Sequence, residues 1–384
     1  MSAVRTYLDH NATSPLRPEA REEMMRALDV SGNASSVHAE GRTARALIEA
    51  ARTKIAALAG AAPRDVVFTS GATEAANWVM AQPWQVVLVS AVEHAAVMAP
   101  ALRCGARVEI IPVDGAGRVD PEGLGELIDA VCGDGGVSVA GAVLVAVQHA
   151  NNESGVVQPI AKIAEIARER GVRLIVDAVQ AAGRVALDQR GQGIDFMVLS
   201  SHKIGGPQGA GALVIGNEAS IDPMLVGGGQ ERSLRAGTEN VAAIAGFGAA
   251  AAASERDLAR SAHLARLRDT LERDLKRATP ELIVIGGAAD RLCNTTLVAR
   301  PGARAETVVI GLDLAGVGAS AGAACSSGKI NRSPVLAAMG IGEEIGKCAV
   351  RFSLGWTTTE DDIAQCVSAW ERVNKTRSGA RAMA

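Results

Sequence analysis

The chain has 384 residues, 48% of them hydrophobic and 21% charged, which is a soluble globular composition and excludes a disordered or fibrous protein. A net charge of −3 leaves no basic footprint, and an aromatic content of 2% leaves no stacking platform, so no nucleic-acid partner is expected. No apolar run approaches the roughly 18 residues of a membrane span, and "MSAVRTYLDHN" lacks a signal peptide's basic flank and apolar core, so no membrane association and a cytoplasmic location are expected.

In chain order, short apolar runs alternate with helical patterns. Residues 65–70, 84–90, 106–114, 141–148, 172–180, 195–201 and 211–217 read as strands, nearly continuous in apolar character, as strands covered on both faces are. Helical stretches separate several of them, such as 159–171, which closes on a glycine. Repeated strand, helix, strand predicts an α/β fold with a mostly parallel seven-stranded sheet. The loop between 195–201 and 211–217 is too short for a helical crossover, so that pair is predicted antiparallel. A helical region follows over 241–278, then strands at 281–287, 294–300, 306–314 and 348–355, and a closing helix near 359–376. The change of rhythm predicts a smaller α+β domain beginning near Ser254, with residues 17–253 as the large domain and 1–16 joined to 254–384.

Six cysteines (Cys104, Cys132, Cys293, Cys325, Cys348, Cys366) lie far apart with no C-x-x-C pair, which argues against a disulfide framework or a zinc site. Ligands of open parallel sheets bind outside the carboxyl ends of the strands, so the polar residues there are the site candidates. Strand 65–70 leads into "TSGATEAAN", where Thr73 and the backbone N–H groups of a starting helix offer an anion site or merely a helix cap. His94 follows strand 84–90 and could be a base or a stacking ring, though taken alone it reads as a satisfied core histidine. Asn152 lies in the turn "NNESG" after strand 141–148. Asp177 ends an apolar strand, where a carboxylate needs a partner. Ser200, His202 and Lys203 close strand 195–201, and a buried lysine with a depressed pKa is a nucleophile suited to bonding a carbonyl. Pyridoxal phosphate needs all of these together: an amine for its aldehyde, a carboxylate for its ring nitrogen, and a helix N-terminus with hydroxyls for its phosphate.

The segments "YLDHNATSP", "GNASSVHAEGR", "TSGATEAAN", "EHAAV", "NNESGVVQPI", "VDAVQAAG", "SSHKIGGPQGAGAL", "GGGQERSLRAGTEN", "AACSSGKI" and "RFSLG" resemble, in order, the motifs of pyridoxal-phosphate-dependent cysteine desulfurases, from Tyr7 to about residue 376. The resemblance implies a fold-type I architecture, a homodimer, pyridoxal 5'-phosphate as cofactor, L-cysteine as substrate and a protein sulfur acceptor such as an iron–sulfur scaffold. It implies that Lys203 bonds the cofactor aldehyde and that Asp177 pairs with the ring nitrogen. Gln180 and Asn152 would hold the ring hydroxyl region, Asn152 also lying near the substrate carboxylate. His94 would stack on the ring and assist proton transfer. Ala72, Thr73, Ser200 and His202 would hold the phosphate, joined by Thr238 from the partner subunit. Arg351 would bind the substrate carboxylate, and Cys325 would accept the sulfur. Two of these roles have support from the residues themselves. A guanidinium in the apolar run "CAVRFSLG" needs a carboxylate, supplied by substrate or by an internal Asp or Glu. Cys325 sits among small residues that pack no core and can move.

Three departures stand out. The segment between Thr73 and His94 looks about seven residues shorter than usual in the family, residue 10 is histidine where the family often has Asn or Tyr, and the closing "RSGARAMA" shows no scaffold-gripping tail. The spacing from Cys325 to Arg351 favours a desulfurase over a selenocysteine lyase. Another lyase or aminotransferase of the superfamily, and a non-enzymatic assembly partner, are the competing readings, which Cys325 and the cofactor discriminate.

Overall fold

The computed structural model describes residues 5–133, 142–216, 218–322 and 333–382, the side chains to residue 374. Cys325 lies outside the described residues. In chain order the strands are β1 (Thr6–Tyr7), β2 (Val66–Thr69), β3 (Val86–Ser90), β4 (Arg107–Ile111), β5 (Val143–Gln148), β6 (Arg173–Asp177), β7 (Phe196–Ser200) and β8 (Gly211–Ile215). β9 (Ile283–Ile285), β10 (Thr295–Ala299), β11 (Val317–Gly318), β12 (Ser320–Ala321) and β13 (Ala349–Ser353) follow.

Seven strands form one sheet in the order β2-β8-β7-β6-β5-β3-β4, as expected. The pairings from β7 through β4 are parallel, and β8 runs antiparallel to both β7 and β2, which accords with the short loop before it. Successive side chains of a strand point to opposite faces. Val143, Val145 and Val147 of β5 therefore join one buried cluster, and Leu144 and Ala146 join another on the opposite face. A sheet covered on both faces explains why its strands read as unbroken apolar runs.

Alanine and glycine are spent where helices approach closely. The helix Val241–Asp257 packs on Pro18–Leu28 and Ala39–Ala59. A Cβ on Gly248 would come within 2.5 Å of Ala51 Cα, so no larger residue fits that crossing.

A second sheet has the order β12-β13-β10-β9, with β13, β10 and β9 antiparallel. The chain's first strand, β1, pairs in parallel with β11, and Leu8 is buried with Leu267, Leu271, Phe352 and Trp370. One sequence expectation is corrected: residues 306–314 are not a strand but part of a helix, Ala305–Leu314. Its buried residues are Ala305, Val308 and Leu312, the last two four apart. A short apolar run fits either element by pattern, and packing against the closing helix Glu360–Ala382 selects the helix here.

The shortened segment before β3 closes without a gap. The helix Ala72–Met80 ends and β3 starts at Val86, while Trp84 Nε1 donates to Val79 O (2.6 Å). His10 has a packing role: it is fully buried, hydrogen-bonded to Ser14 Oγ at 3.0 Å, and a Cβ on Gly355 would overlap its ring.

Candidate active site

The carboxyl ends of β2, β5, β6 and β7 open onto one cavity of about 370 Å³. Its lining includes Ala72, Thr73, His94, Asn152, Asp177, Gln180, Ser200, His202 and Lys203, nine of the residues singled out from sequence. Each arrives by the end of an apolar strand or the first turn after it, because a parallel sheet aligns those ends.

Lys203 closes a short turn after β7, and its Nζ donates to Asn11 O (2.6 Å) and Ala12 O (2.9 Å). The following Gly205 has φ of 83°, and a Cβ there would meet Arg17 Cγ at 2.6 Å. The glycine thus admits the segment 9–17, whose carbonyls receive the lysine. Asp177 ends β6, directly opposite Gln148 of β5, and its Oδ1 accepts from Val179 N at 2.9 Å. Burial raises the Asp177 pKa, while that bond, His94 and Lys203 pull it back. The carboxylate is therefore one that gains from a cationic partner.

Gly71 caps the helix Ala72–Met80, so Thr73 is not the cap and its hydroxyl is not committed to that task. A Cβ on Gly211 would strike Gly71 Cα at 2.6 Å, so β8 can lie against the start of this helix only as glycine. His94 caps the helix Ala95–Ala101 through Nδ1, which accepts from Ala96 N at 3.1 Å and leaves the proton of the neutral ring on Nε2. His202 meets Thr13 Oγ1 at 3.2 Å, and its pKa is lowered to about 4 by burial and then by Lys203. Gln180 Nε2 donates to Asn11 O at 3.1 Å.

Two assignments fall outside the cavity lining. Arg351, 2% exposed on β13, donates from Nη2 to Asp9 Oδ1 (2.8 Å) and from Nη1 to Asn152 O (2.9 Å). The internal carboxylate left open by the sequence is thus Asp9, while Nε of Arg351 is buried without a partner among the described residues. Thr238 is exposed and does not line this cavity. Four further residues were not found from sequence. Asn11 and Ala12 act through backbone carbonyls, which carry no residue signature. Glu93 is buried, takes the Gln148 N–H on one oxygen, and has no partner among the described residues on the other. Burial, and secondarily the nearby Asp177, push its pKa well above the carboxylate range. Glu153, beside Asn152, accepts from Ser333 Oγ at 2.7 Å.

The donor set fits pyridoxal phosphate. One cavity presents an amine, a half-buried carboxylate, the hydroxyls of Thr73 and Ser200 and the N-terminus of a nine-residue helix, the complement of an aldehyde, a ring nitrogen and a phosphate.

Comparison with known proteins agrees. The family model for aminotransferase class-V matches residues 6–366. A cysteine desulfurase of Cereibacter sphaeroides is 41% identical over 371 residues, covering 93% of this chain and 92% of the relative. The cysteine desulfurase IscS of Dictyoglomus turgidum (strain DSM 6724 / Z-1310) is 35% identical over 379 residues, covering 96% and 94%. The X-ray structure of a NifS-like protein from Rickettsia africae ESF-5 superposes with a TM-score of 0.88 at 36% identity, covering 97% of this chain and 99% of that one. Sheet order, cavity and relatives converge: the chain belongs to the aminotransferase class-V family, among the cysteine desulfurases.

Proposed function

We propose that the chain is a pyridoxal-phosphate-dependent L-cysteine desulfurase that yields L-alanine and leaves the sulfur as a persulfide on Cys325. The observation that carries this reading is the meeting of Lys203, Asp177, Thr73 and Ser200 around one cavity, in a chain of this family. When bound, the cofactor supplies an aldehyde for amines and a protonated ring that takes up an electron pair.

Lys203 Nζ has resting acceptors at Asn11 O and Ala12 O, so it can leave and return while carrying a proton at the substrate α-carbon. Asp177 holds negative charge where the ring nitrogen needs a proton. Thr73, Ser200 and the first N–H groups of Ala72–Met80 hold the phosphate, with His202 beside them and Thr238 of the partner subunit completing the cradle. His94 keeps Nδ1 on the backbone and uses Nε2 for proton transfer. Arg351 binds the substrate carboxylate, and Asp9 neutralises the guanidinium when no substrate is there. Cys325 thiolate then bonds to the substrate sulfur as the carbon–sulfur bond breaks; its electron pair stays on carbon, which takes a proton and becomes the alanine methyl group. Sulfur leaves Cys325 by thiol exchange with a protein acceptor, an iron–sulfur scaffold or a thiolation enzyme.

The test is optical. Purified protein supplied with pyridoxal phosphate is expected to turn yellow, and Lys203→Ala to lose the visible band. Persistence of the band in the variant would refute the lysine assignment, and a wild-type protein that takes up no cofactor would overturn the enzyme reading.

A further inference from the structure

Behind Lys203 lies a cation that the mechanism above leaves unused. Arg184, partly buried, follows the turn after β6 and donates from Nη1 to Gln180 O (2.7 Å) and Gln180 Oε1 (2.9 Å), with Nη2 reaching Lys203 O at 3.4 Å. Its acceptors among the described residues are the oxygens of two cavity residues, not a carboxylate.

Arginine has donors only, so just the oxygen of the Gln180 amide can face it. That fixes the amide's other end. One Nε2 hydrogen goes to Asn11 O, and the second belongs to a side chain that is 4% exposed and lines the cavity. A buried donor of this kind calls for an acceptor on whatever fills the cavity. The geometry points to Arg184 as a positioning residue that locks Gln180 with an N–H, never a C=O, toward the oxygen substituent of the cofactor ring. The inference rests on the desulfurase reading in one respect, that pyridoxal phosphate is the occupant. An N–H held against that oxygen favours its deprotonated form, so releasing the amide makes the bound cofactor keep its proton to higher pH.

The experiment is a pH titration of the absorption spectrum of the bound cofactor, without substrate, in wild type, Arg184→Met, Arg184→Lys and Gln180→Glu. Arg184→Met is expected to raise the midpoint by about one pH unit, the size of one good hydrogen bond. Arg184→Lys keeps a donor to Oε1 and is expected to stay close to wild type. Gln180→Glu keeps the acceptor for Arg184 but has no N–H to offer, so its midpoint should rise too. A merely structural Arg184 would lower the melting temperature and leave the midpoint where it was; that result overturns the inference. If Arg184→Met does not fold, an unmoved midpoint in Gln180→Glu does the same. A wild type that binds no cofactor defeats the desulfurase reading instead, so the two failures are distinguishable.

Discussion

Glu153 is a buried carboxyl at the seam between the Asn152 turn and Ser333, which caps the helix Pro334–Ala338. Burial raises its pKa to about 7, against the opposing pull of Ser333, Arg351 and His94. An acid whose pKa is higher folded than unfolded binds more protons in the native state, so its contribution to stability is full below the ordinary glutamate range and is lost as pH rises through about 7. A shift of this size corresponds to about 3 kcal/mol. Glu153→Gln keeps an acceptor for Ser333 without the charge. The melting-temperature difference, variant minus wild type, is therefore expected to grow as pH rises from the ordinary glutamate range to about 7 and to level off above it; parallel pH profiles would contradict this. Lys203 and Asp177 were legible in the sequence because a charge at the end of an apolar strand is anomalous anywhere. Glu153 was not, since its partner is 180 residues away and an acidic residue in an Asn-rich turn looks like solvent. Arg351 was half legible: the need for a carboxylate was clear, and its identity as Asp9 depended on β13 lying beside residue 9.

At the level of elements, the turn Glu231–Ser233 holds three consecutive non-glycine residues at φ of 47°, 59° and 65°. Left-handed backbone costs roughly 1 kcal/mol per such residue, so something must hold it. Glu231 takes both Nη atoms of Arg52 at 2.7 and 2.8 Å and the N–H of Phe68 at 2.8 Å, while Arg52 and Arg232 both donate to Val66 O. The turn is thereby pinned to β2, whose far end reaches the cavity. Removing one partner of a buried pair strands the other. Glu231→Gln is expected to lose about 3 kcal/mol in denaturant unfolding, whereas Ser233→Gly should gain about 1 kcal/mol by relieving the backbone. A loss in the glycine variant would show that the turn is not strained. No pattern in "GGGQERSLRAGTEN" announced this conformation, because non-glycine residues seldom adopt it. The strands of the large sheet were legible for the opposite reason: burial on both faces makes a strand apolar throughout. The helix Ala305–Leu314 was misread because ten residues are too few for period alone to separate helix from strand.

For the whole molecule, the core of Leu8, Leu271, Phe352 and Trp370 supports a division we propose, with residues 17–253 as the large unit and 1–16 with 254–384 as the smaller. The exposed Thr238 suits a residue serving a second copy of the chain, and we propose a homodimer on that ground. No helix among the described residues is long and apolar enough to cross a membrane. The ordered motifs made the site readable across the chain, but how segment 9–17 closes over Lys203 follows only from the folded molecule. In the proposed reaction sulfur moves from L-cysteine to Cys325. Its most direct measurement is the mass of the intact holoenzyme after brief exposure to L-cysteine under anaerobic conditions, with alanine assayed alongside. The expected result is a gain of one sulfur atom mapped to Cys325, with stoichiometric alanine, and neither in Cys325→Ala, although that variant keeps the cofactor spectrum. Undiminished sulfur transfer in Cys325→Ala, or alanine formed with no sulfur on Cys325, would contradict it.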